Sequence, residues 1–302
     1  MNNKKILLTG GSGGLGKQLT SLLLSKGYSV SILSRGEGKD KRVQTYKWDV
    51  NKGIIDDACI DGVDTIIHLA GAGIADERWT DERKKIIIES RTKSIALVYD
   101  LLKRKSNKVR FVISASGIGY YSDRGDELLT EENPPANDFL GQCCVLWEQA
   151  VDEGEKLGLR IAKFRTGVVL DKHAGALPKL SAPVKFGFGA ALGSGRQWVP
   201  WIHWQDVAGM YLYAIEQELG GAYNMVAPNP VTNKQLTQHV ARHLKRPLWL
   251  PNVPAFGLKL ALGEMSTLVL GSTKVAADKI EQAGYIFKFD SIDKALTDIY
   301  GR

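Results

Sequence analysis

The sequence predicts an α/β chain in which a doubly wound, mostly parallel sheet is joined to a smaller, mostly helical C-terminal lobe. Three observations predict it. Short β-rich runs alternate with helical patterns, a glycine cluster joins the first strand to the first helix, and the alternation loosens after about Leu170. Alternation of this kind implies parallel βαβ units, because a parallel neighbour is reached only through a crossover that a helix supplies.

In chain order, the apolar run Ile6-Leu7-Leu8 makes Lys5 to Thr9 a strand. Gly14 to Lys26 reads as a helix, with Leu15, Leu19, Leu22 and Leu23 at helical spacing and Gly27 ending it. Ser29 to Ser34 is the second strand and Thr45 to Trp48 a strand-like run. Thr65 to Ala70, Arg110 to Ser114 and Arg160 to Val168 read as further buried strands, separated by helices at Glu82 to Arg104 and Phe139 to Lys156. Gly, Pro and Trp then concentrate from Gly175 to Trp204, and a helix follows from Trp204 to Gln217. From about Val226 the chain reads as mostly helical, opened by the turn-rich Ala227-Pro228-Asn229-Pro230. The expected division is therefore 1–225, with a lobe insertion at about 171–204, and a small domain over 226–302. With no repeat and no low-complexity linker, the second part is expected to pack on the first as a lid or lobe.

Composition narrows the class. Across 302 residues, 44% hydrophobic and 24% charged content are ordinary globular values, which exclude disordered and fibrous chains. Met1 to Lys5 is polar and Ile6-Leu7-Leu8 ends at once in Thr9-Gly10-Gly11, so no secretory pattern is read. No stretch reaches the roughly 18 apolar residues of a membrane helix. Ala255 to Gly271, interrupted by Lys259 and Glu264, reads as an amphipathic or buried helix. Cys59, Cys143 and Cys144 are an odd set with two adjacent, which suits a reducing cytosol and not a disulfide framework. No CxxC or His cluster stands near them, so no metal site is expected and the cysteines read as small buried side chains. A cytoplasmic protein without a membrane partner is the expectation. The formal charge of +7 leaves an anionic partner open. The basic residues are scattered, in short clusters such as Lys39-Asp40-Lys41-Arg42 and Lys103-Arg104-Lys105, without interleaved aromatics, so nucleic acid is not the expected partner.

The glycine cluster carries the chemistry. Thr9-Gly10-Gly11-Ser12-Gly13-Gly14-Leu15-Gly16 follows a strand and opens a helix. Gly10 permits a tight turn, Gly13 lets the backbone approach a pyrophosphate, and Gly16 lets helix pack on strand. Phosphates would sit on the helix N-terminus, where the N–H groups of Ser12, Gly14 and Leu15 and the helix dipole favour negative charge. This is the Rossmann arrangement. The second strand ends in Ser34-Arg35, with no acid until Glu37. A carboxylate there would hold the ribose hydroxyls of NAD, whereas a guanidinium pairs with a 2′-phosphate and stacks on adenine; the alternative is a surface arginine. NADP(H) is the expected cofactor. Asp49-Val50 can meet the adenine edge, and the small residues of Leu69-Ala70-Gly71 let backbone approach the adenosine ribose and phosphates. Arg91 is read either as reaching the cofactor phosphates or as a surface ion pair.

With these pieces the chain resembles the extended short-chain dehydrogenase/reductases, the group of sugar-nucleotide epimerases and dehydratases. The resemblance rests on Thr9 to Gly16, Asp49-Val50, His68-Leu69-Ala70-Gly71, Ser114-Ala115-Ser116, Tyr121-Ser122-Asp123, Leu129-Thr130-Glu131-Glu132, Arg165-Thr166-Gly167 and Trp201 to Asp206. A narrower resemblance covers essentially the whole chain: Arg78-Trp79-Thr80, Ser90-Arg91, Ile118-Gly119-Tyr120-Tyr121, Trp147-Glu148, Gly193 to Trp198 and Pro228 to Asn233 are similar to an epimerase-like subgroup with a short C-terminal domain of unknown function. That subgroup's substrate is generally unassigned; the wider resemblance implies a small-molecule substrate, a sugar nucleotide among the candidates, and places the helices at 82–104 and 139–156 where its members pair into a dimer, so a monomer or a homodimer is expected.

The resemblance also exposes a departure. Active members carry Tyr-x-x-x-Lys followed four residues later by a helix Glu; the Tyr is the general acid/base, and the Lys lowers its pKa and holds the nicotinamide ribose. If Glu148 is that helix Glu, Leu140 takes the Tyr position and Cys144 the Lys position. The substrate-polarising serine falls on Gly117 in the ungapped register and on Ser116 after a one-residue shift, and the phosphate-gripping arginine falls on Val199, with Arg196 nearby. Ser116 and Tyr120, beyond the end of a central strand, are the candidate catalytic residues. Trp79, Trp198 and Trp201 are read either as an aromatic wall for a ring or as core between the lobes, His203 as structural, and Asp206 as capping or tying its helix. The expected function is an NADP(H)-dependent epimerase/dehydratase-like oxidoreductase; the alternative is a non-catalytic NADP(H)-binding sensor or scaffold.

Overall fold

The computed structural model describes residues 4–38 and 40–301. Lys39, the first residue of the Lys39–Arg42 cluster, lies outside them, as do residues 1–3 and 302. Eight strands form one sheet: β1 (Lys5–Thr9), β2 (Ser29–Ser34), β3 (Gln44–Asp49), β4 (Ile54–Ile55), β5 (Thr65–His68), β6 (Phe111–Gly117), β7 (Arg160–Thr166) and β8 (Gly221–Met225). Their spatial order is β8-β7-β6-β5-β1-β2-β3-β4, and only the short β4 runs antiparallel to its neighbour. The order reverses between β1 and β5, which opens a crevice beyond the carboxyl ends of the strands.

The helices are α1 (Gly14–Ser25), α2 (Asp81–Arg104), α3 (Phe139–Asp152), α4 (Ala176–Lys185), α5 (Trp204–Gln217), α6 (Asn233–His243), α7 (Ala255–Leu262) and α8 (Ile292–Tyr300), with shorter turns between them. Alternate strand residues point to opposite faces, and the core divides accordingly. Ile6, Leu8, Ile67 and Ile113 pack with Leu19 and Leu23 of α1 and Val207, Met210 and Tyr211 of α5. Leu7, Ile66 and Val112 face the other way, onto Ile95, Val98 and Tyr99 of α2 and Trp147 and Val151 of α3. Burial on both faces is why these strands read as continuous apolar runs.

Four expectations change. The strand expected to run to Val168 breaks after Thr166: a Cβ at Gly167 would lie 2.3 Å from the Pro200 carbonyl oxygen, and Val168–Leu170 leaves to pair with Trp201–His203. The edge strand β8 gives no legible strand signal, since Gly220-Gly221 masks a five-residue run. The Phe139 helix ends at Asp152 and tightens into a 3-10 turn over Glu153–Leu157. Ala255 to Gly271 is not one helix and is buried only at Met265 and Ser266: Gly263, at φ 59°, ends α7, which buries no residue and leaves Phe256 and Leu260 exposed. The C-terminal part is otherwise mostly helical and is woven back into the first part. Val231–Thr232 pairs with Trp198–Val199, and Lys274–Val275 pairs with Leu128–Leu129. Among the described residues no helix is long and apolar enough to cross a membrane.

Candidate active site

The loop after β1 shows why its glycines stand where they do. Gly10 has φ +71°, and a Cβ on it would come within 2.8 Å of the Leu69 carbonyl carbon. At Gly16 a Cβ would lie 2.4 Å from the Gly10 carbonyl oxygen, so only glycine lets α1 sit this close to the turn. Gly13 differs: it is exposed, and its Cβ would meet only the Gly10 oxygen at 3.3 Å. As N-cap of α1 it offers no side chain, whereas Thr80, Asp138, His203, Thr232 and Ser291 cap α2, α3, α5, α6 and α8. The exposed Ser12 and Gly14 flank it, and Leu15 is half-buried against the core. The start of α1 thus carries N–H groups without a side-chain acceptor, in the arrangement that suits an anion.

At the end of β2, Ser34 accepts a hydrogen bond from the Gly36 N–H at 3.3 Å, while Arg35 is exposed and makes no hydrogen bond or ion pair with the described residues. At the end of β3, Asp49 accepts from the N–H groups of Asn51 and Lys52, at 3.1 and 3.2 Å, so its carboxylate closes the following turn. Val50 packs against the α2-side core.

A buried relay holds the loop after β5. Thr9 Oγ1 accepts from the N–H groups of Leu69 and Ala70, at 3.2 and 3.1 Å, and therefore turns its own proton toward His68 Nδ1 at 2.9 Å. His68 Nε2 then carries the proton and donates to Ser94 Oγ at 3.2 Å. Ser90 Oγ accepts from the Ala72 N–H at 2.9 Å. Arg91 is not the surface ion pair of the second reading: it is half-buried, its Cζ lies 4.8 Å from the Trp147 ring centroid, and a Cβ on Gly71 would approach Cζ to 3.1 Å.

Burial lowers the pKa of His68 from 6.5 to about 4. A depressed histidine pKa leaves stability complete above the unfolded value of 6.5; as pH falls below it, the unfolded chain takes up a proton that the folded chain refuses, and the loss continues until about pH 4. The expected contribution is a loss of about 2 kcal/mol by pH 5. Urea unfolding from pH 7.5 to 4.5 checks it: His68→Gln should flatten the slope relative to the parent, and an unchanged slope would remove His68 from the account.

Beyond β6 the structure assembles a buried ionic network. In the β6–β7 register Ser116 lies opposite Arg165. Glu148, reaching down from α3, takes Arg165 in a two-point pair, Nε to Oε1 at 2.9 Å and Nη2 to Oε2 at 3.0 Å, and accepts from Ser116 Oγ at 2.7 Å. Arg165 Nη1 donates to Tyr121 Oη at 2.9 Å, and Tyr121 donates to Asn224 Oδ1 at 2.8 Å. The face of the Arg165 guanidinium rests 3.5 Å from the Tyr120 ring centroid. The paired tyrosines thus divide: Tyr121 is fully buried, while Tyr120 stays half-buried at the rim.

Residues four apart on α3 share one face, and three of them line this strand end. Glu148 meets Ser116, Cys144 Sγ lies 3.5 Å from the Gly117 carbonyl oxygen, and Leu140 Cβ would be 3.2 Å from a Cβ on Gly119. Cys59, Cys143 and Cys144 are free and buried, and burial pushes the Cys144 thiol up to about 12.

A search against protein families matches residues 6–225 to the NAD dependent epimerase/dehydratase family and residues 253–299 to a domain of unknown function, DUF1731. The chain belongs to the NAD dependent epimerase/dehydratase family. Epimerase family protein YfhF of Bacillus subtilis (strain 168) is 37% identical over 298 residues, 97% of each chain, and epimerase family protein SA0724 of Staphylococcus aureus (strain N315) is 33% identical over 302 residues, 98% of this chain and 99% of that one. Among solved structures, human epimerase family protein SDR39U1 (isoform 2) with NADPH superposes with a TM-score of 0.87 at 27% identity, covering 98% of this chain and 99% of that one. The nucleoside-diphosphate sugar epimerase from Corynebacterium glutamicum superposes with a TM-score of 0.81 at 31% identity, covering 99% of this chain but 59% of that one.

Within this epimerase-family fold the three tryptophans each have a separate partner. Trp201 is fully buried and donates to the Asn229 carbonyl at 3.0 Å; Trp198 is tied to Asp126 at 2.7 Å; Trp79 meets Phe139 edge-on. His203 is structural: as N-cap of α5 it accepts from the Gln205 N–H at 3.2 Å. Asp206 does not cap; it accepts from the N–H groups of Lys288 and Phe289 and from Tyr285 Oη, tying the C-terminal segment to α5. Arg196 is exposed and makes no side-chain hydrogen bond or ion pair with the described residues. Sequence reasoning missed one neighbour of the glycine loop. Asp171 accepts from the N–H groups of His173 and Ala174 and from Gln18 on α1, and Ala174 Cβ would lie 3.3 Å from a Cβ on Gly14. Gln18 follows the glycine motif, but nothing local in the sequence joins it to a residue 153 positions away.

Proposed function

We propose that this chain is an NADP(H)-binding, epimerase/dehydratase-like oxidoreductase acting on a small molecule in the cytoplasm. The observation that carries the reading is the pairing of a glycine loop at an uncapped helix N-terminus with a free, exposed Arg35 at the end of β2, where NAD-selective sites hold a carboxylate. Gly10, Ser12, Gly13, Gly14, Leu15 and Gly16 would cradle the pyrophosphate; Ser34 and Arg35 would take the 2′-phosphate; Asp49-Val50 and Leu69-Ala70-Gly71 would flank the adenosine. The NADPH in the human neighbour supports the choice. When bound, the cofactor supplies hydride chemistry.

The chain's own residues supply proton chemistry sparsely. Leu140 and Cys144 stand where the wider group carries Tyr and Lys, and a thiol raised by burial is neutral and brings no fixed positive charge. Tyr120 is the candidate proton donor, with the Arg165 guanidinium lying over its ring. Ser116 orients the Glu148–Arg165 pair behind it. The substrate class is a small molecule such as a sugar nucleotide. One observation favours a second reading, a non-catalytic NADP(H)-binding sensor or scaffold: the Ser116 hydroxyl is already committed to Glu148, away from any substrate.

Fluorescence titration with NADPH and NADH, followed by absorbance of the reduced cofactor with a panel of carbonyl compounds and sugar nucleotides, separates these. NADPH is expected to bind more tightly than NADH, and Arg35→Glu is expected to weaken NADPH roughly tenfold to a hundredfold and erase its advantage. Unchanged relative affinities would remove Arg35 from the reading, and binding without turnover across the panel would favour the sensor.

A further inference from the structure

We propose that the C-terminal lobe docks on the surface of a bilayer carrying anionic phospholipids, through α7 and the aromatic turn beside it. Docking does not depend on the cofactor. Nor does it need a spanning segment, whose absence led to the expectation of no membrane partner.

The lobe carries apolar surface out of place. Among the described residues the exposed phenylalanines and tryptophans are Phe186, Phe188, Trp249 and Phe256, and with Leu260 they are 64% to 82% exposed. Their segments are joined. Trp249 Nε1 donates to the Gly187 carbonyl, between the two phenylalanines, at 3.1 Å. The chain leading to α7 then stays alongside residues 191–193, the Val253 N–H donating to Ala191 and the Gly193 N–H to Val253. α7 reads Ala-Phe-Gly-Leu-Lys-Leu-Ala-Leu and buries no residue. A helix apolar on every side belongs in a core or a membrane. This one stands at the surface, where Arg78 Nη2 donates to its Leu260 and Ala261 carbonyls.

Charge identifies what covers it. From Lys172 to Gln205 and from Leu219 to Gly263 there is no Asp or Glu, against 33 in the chain. The two stretches are tied together by the pairing of Trp198–Val199 with Val231–Thr232 and by the Leu192–Val253 bridge. Within them Lys185, Lys245, Arg246 and Lys259 are exposed, and their side chains make no hydrogen bond or ion pair with the described residues. The acids next to α7 are already paired: Glu264 with Lys84, and Asp76 and Glu77, in the loop of Arg78, with Arg83. Exposed aromatics interspersed with unpaired cations suit an acyl region beneath phosphate headgroups, with Trp249 at the boundary and the Lys259 ammonium extended to the headgroups. A second copy of this face would bring like charges together. A nucleic acid offers the aliphatic Leu260 nothing on which to stack.

The full chain is tested with two kinds of vesicle, phosphatidylcholine alone and an equimolar mixture with phosphatidylglycerol. Co-sedimentation is expected with the mixed vesicles, weakening as salt rises, and roughly tenfold or more weaker with phosphatidylcholine alone. Phe256→Ser with Leu260→Ser should weaken binding roughly tenfold or more and keep the salt dependence. Lys245→Gln with Arg246→Gln should weaken it by a similar factor and flatten the salt dependence. Ile54→Ser, which removes an exposed apolar group from the edge strand β4, should bind as the parent does. All of these change exposed side chains, so thermal unfolding should show the parent's midpoint. A parent that stays in solution with the mixed vesicles would overturn the proposal, as would parental binding by both double variants. So would a parent that self-associates in sedimentation equilibrium and returns to monomer with Phe256→Ser and Leu260→Ser, because a second copy then covers the face. Binding to a single-stranded oligonucleotide that is tighter than to the mixed vesicles, and is lost only in Lys245→Gln with Arg246→Gln, would reassign the cations and overturn it too.

Discussion

Gly13→Val is expected to abolish binding of NADPH and NADH alike, by at least a hundredfold, while the free protein keeps its unfolding transition. Gly13 has φ −71° and ψ 172°, an extended conformation that valine adopts without strain. Its Cβ would press only lightly on the Gly10 oxygen, at 3.3 Å. The isopropyl group would project from an exposed position at the start of α1, into the space a pyrophosphate must occupy to reach the N–H groups there. Gly10 and Gly16 would not give so clean an answer. A side chain at either strikes backbone within 2.8 Å, so those variants would unseat α1 from the turn and mix loss of fold with loss of ligand. Titration with both dinucleotides, beside a thermal scan, checks the prediction, and affinity within about threefold of the parent would refute the loop assignment.

Arg165→Met is expected to destabilise the fold by about 3–5 kcal/mol, the usual consequence of stranding one partner of a buried ion pair. Arg165 and Glu148 are 4% and 6% exposed. Without the guanidinium, Glu148 would keep Ser116 at 2.7 Å and Lys163 at 3.9 Å, and Lys163 is already engaged by Asp152 at 2.6 Å. Tyr121 would lose a donor, and Tyr120 the plane on which it stacks. The double variant Arg165→Met with Glu148→Leu should recover much of the loss, because removing both charges removes the desolvation penalty together with the attraction. Urea unfolding of the two single variants and the double variant measures the coupling. A loss below about 1 kcal/mol for Arg165→Met would show that water or Lys163 compensates Glu148, and that the network does not hold this end of the sheet.

The parts of the site legible in the sequence share one property: their chemistry is local. Glycine at 10, 13 and 16 is a backbone requirement settled within a single strand–turn–helix, and the apolar runs at 6–8 and 66–67 report burial on both faces wherever their partners come from. Arg35 is named by its distance from the end of one strand. The face of α3 was legible in the same way, since 140, 144 and 148 differ by whole helical steps, and the structure sets all three against the end of β6.

What the sequence by itself determined is the α/β class, the glycine loop and the order of the central strands' contributions, because periodicity and steric demand act between near neighbours. What only the tertiary structure decided is how charges and polar groups are matched. Glu148 finds Arg165 through the β6–β7 register, His68 is locked between Thr9 and Ser94, Asp206 holds the segment at Lys288 and Phe289, and Arg91 is left without a counter-ion. These pairings join residues from 17 to 83 positions apart. In a buried setting each polar group must find a partner or bear the penalty of desolvation, and which partner lies within about 3 Å is a property of packed elements that no local spacing encodes.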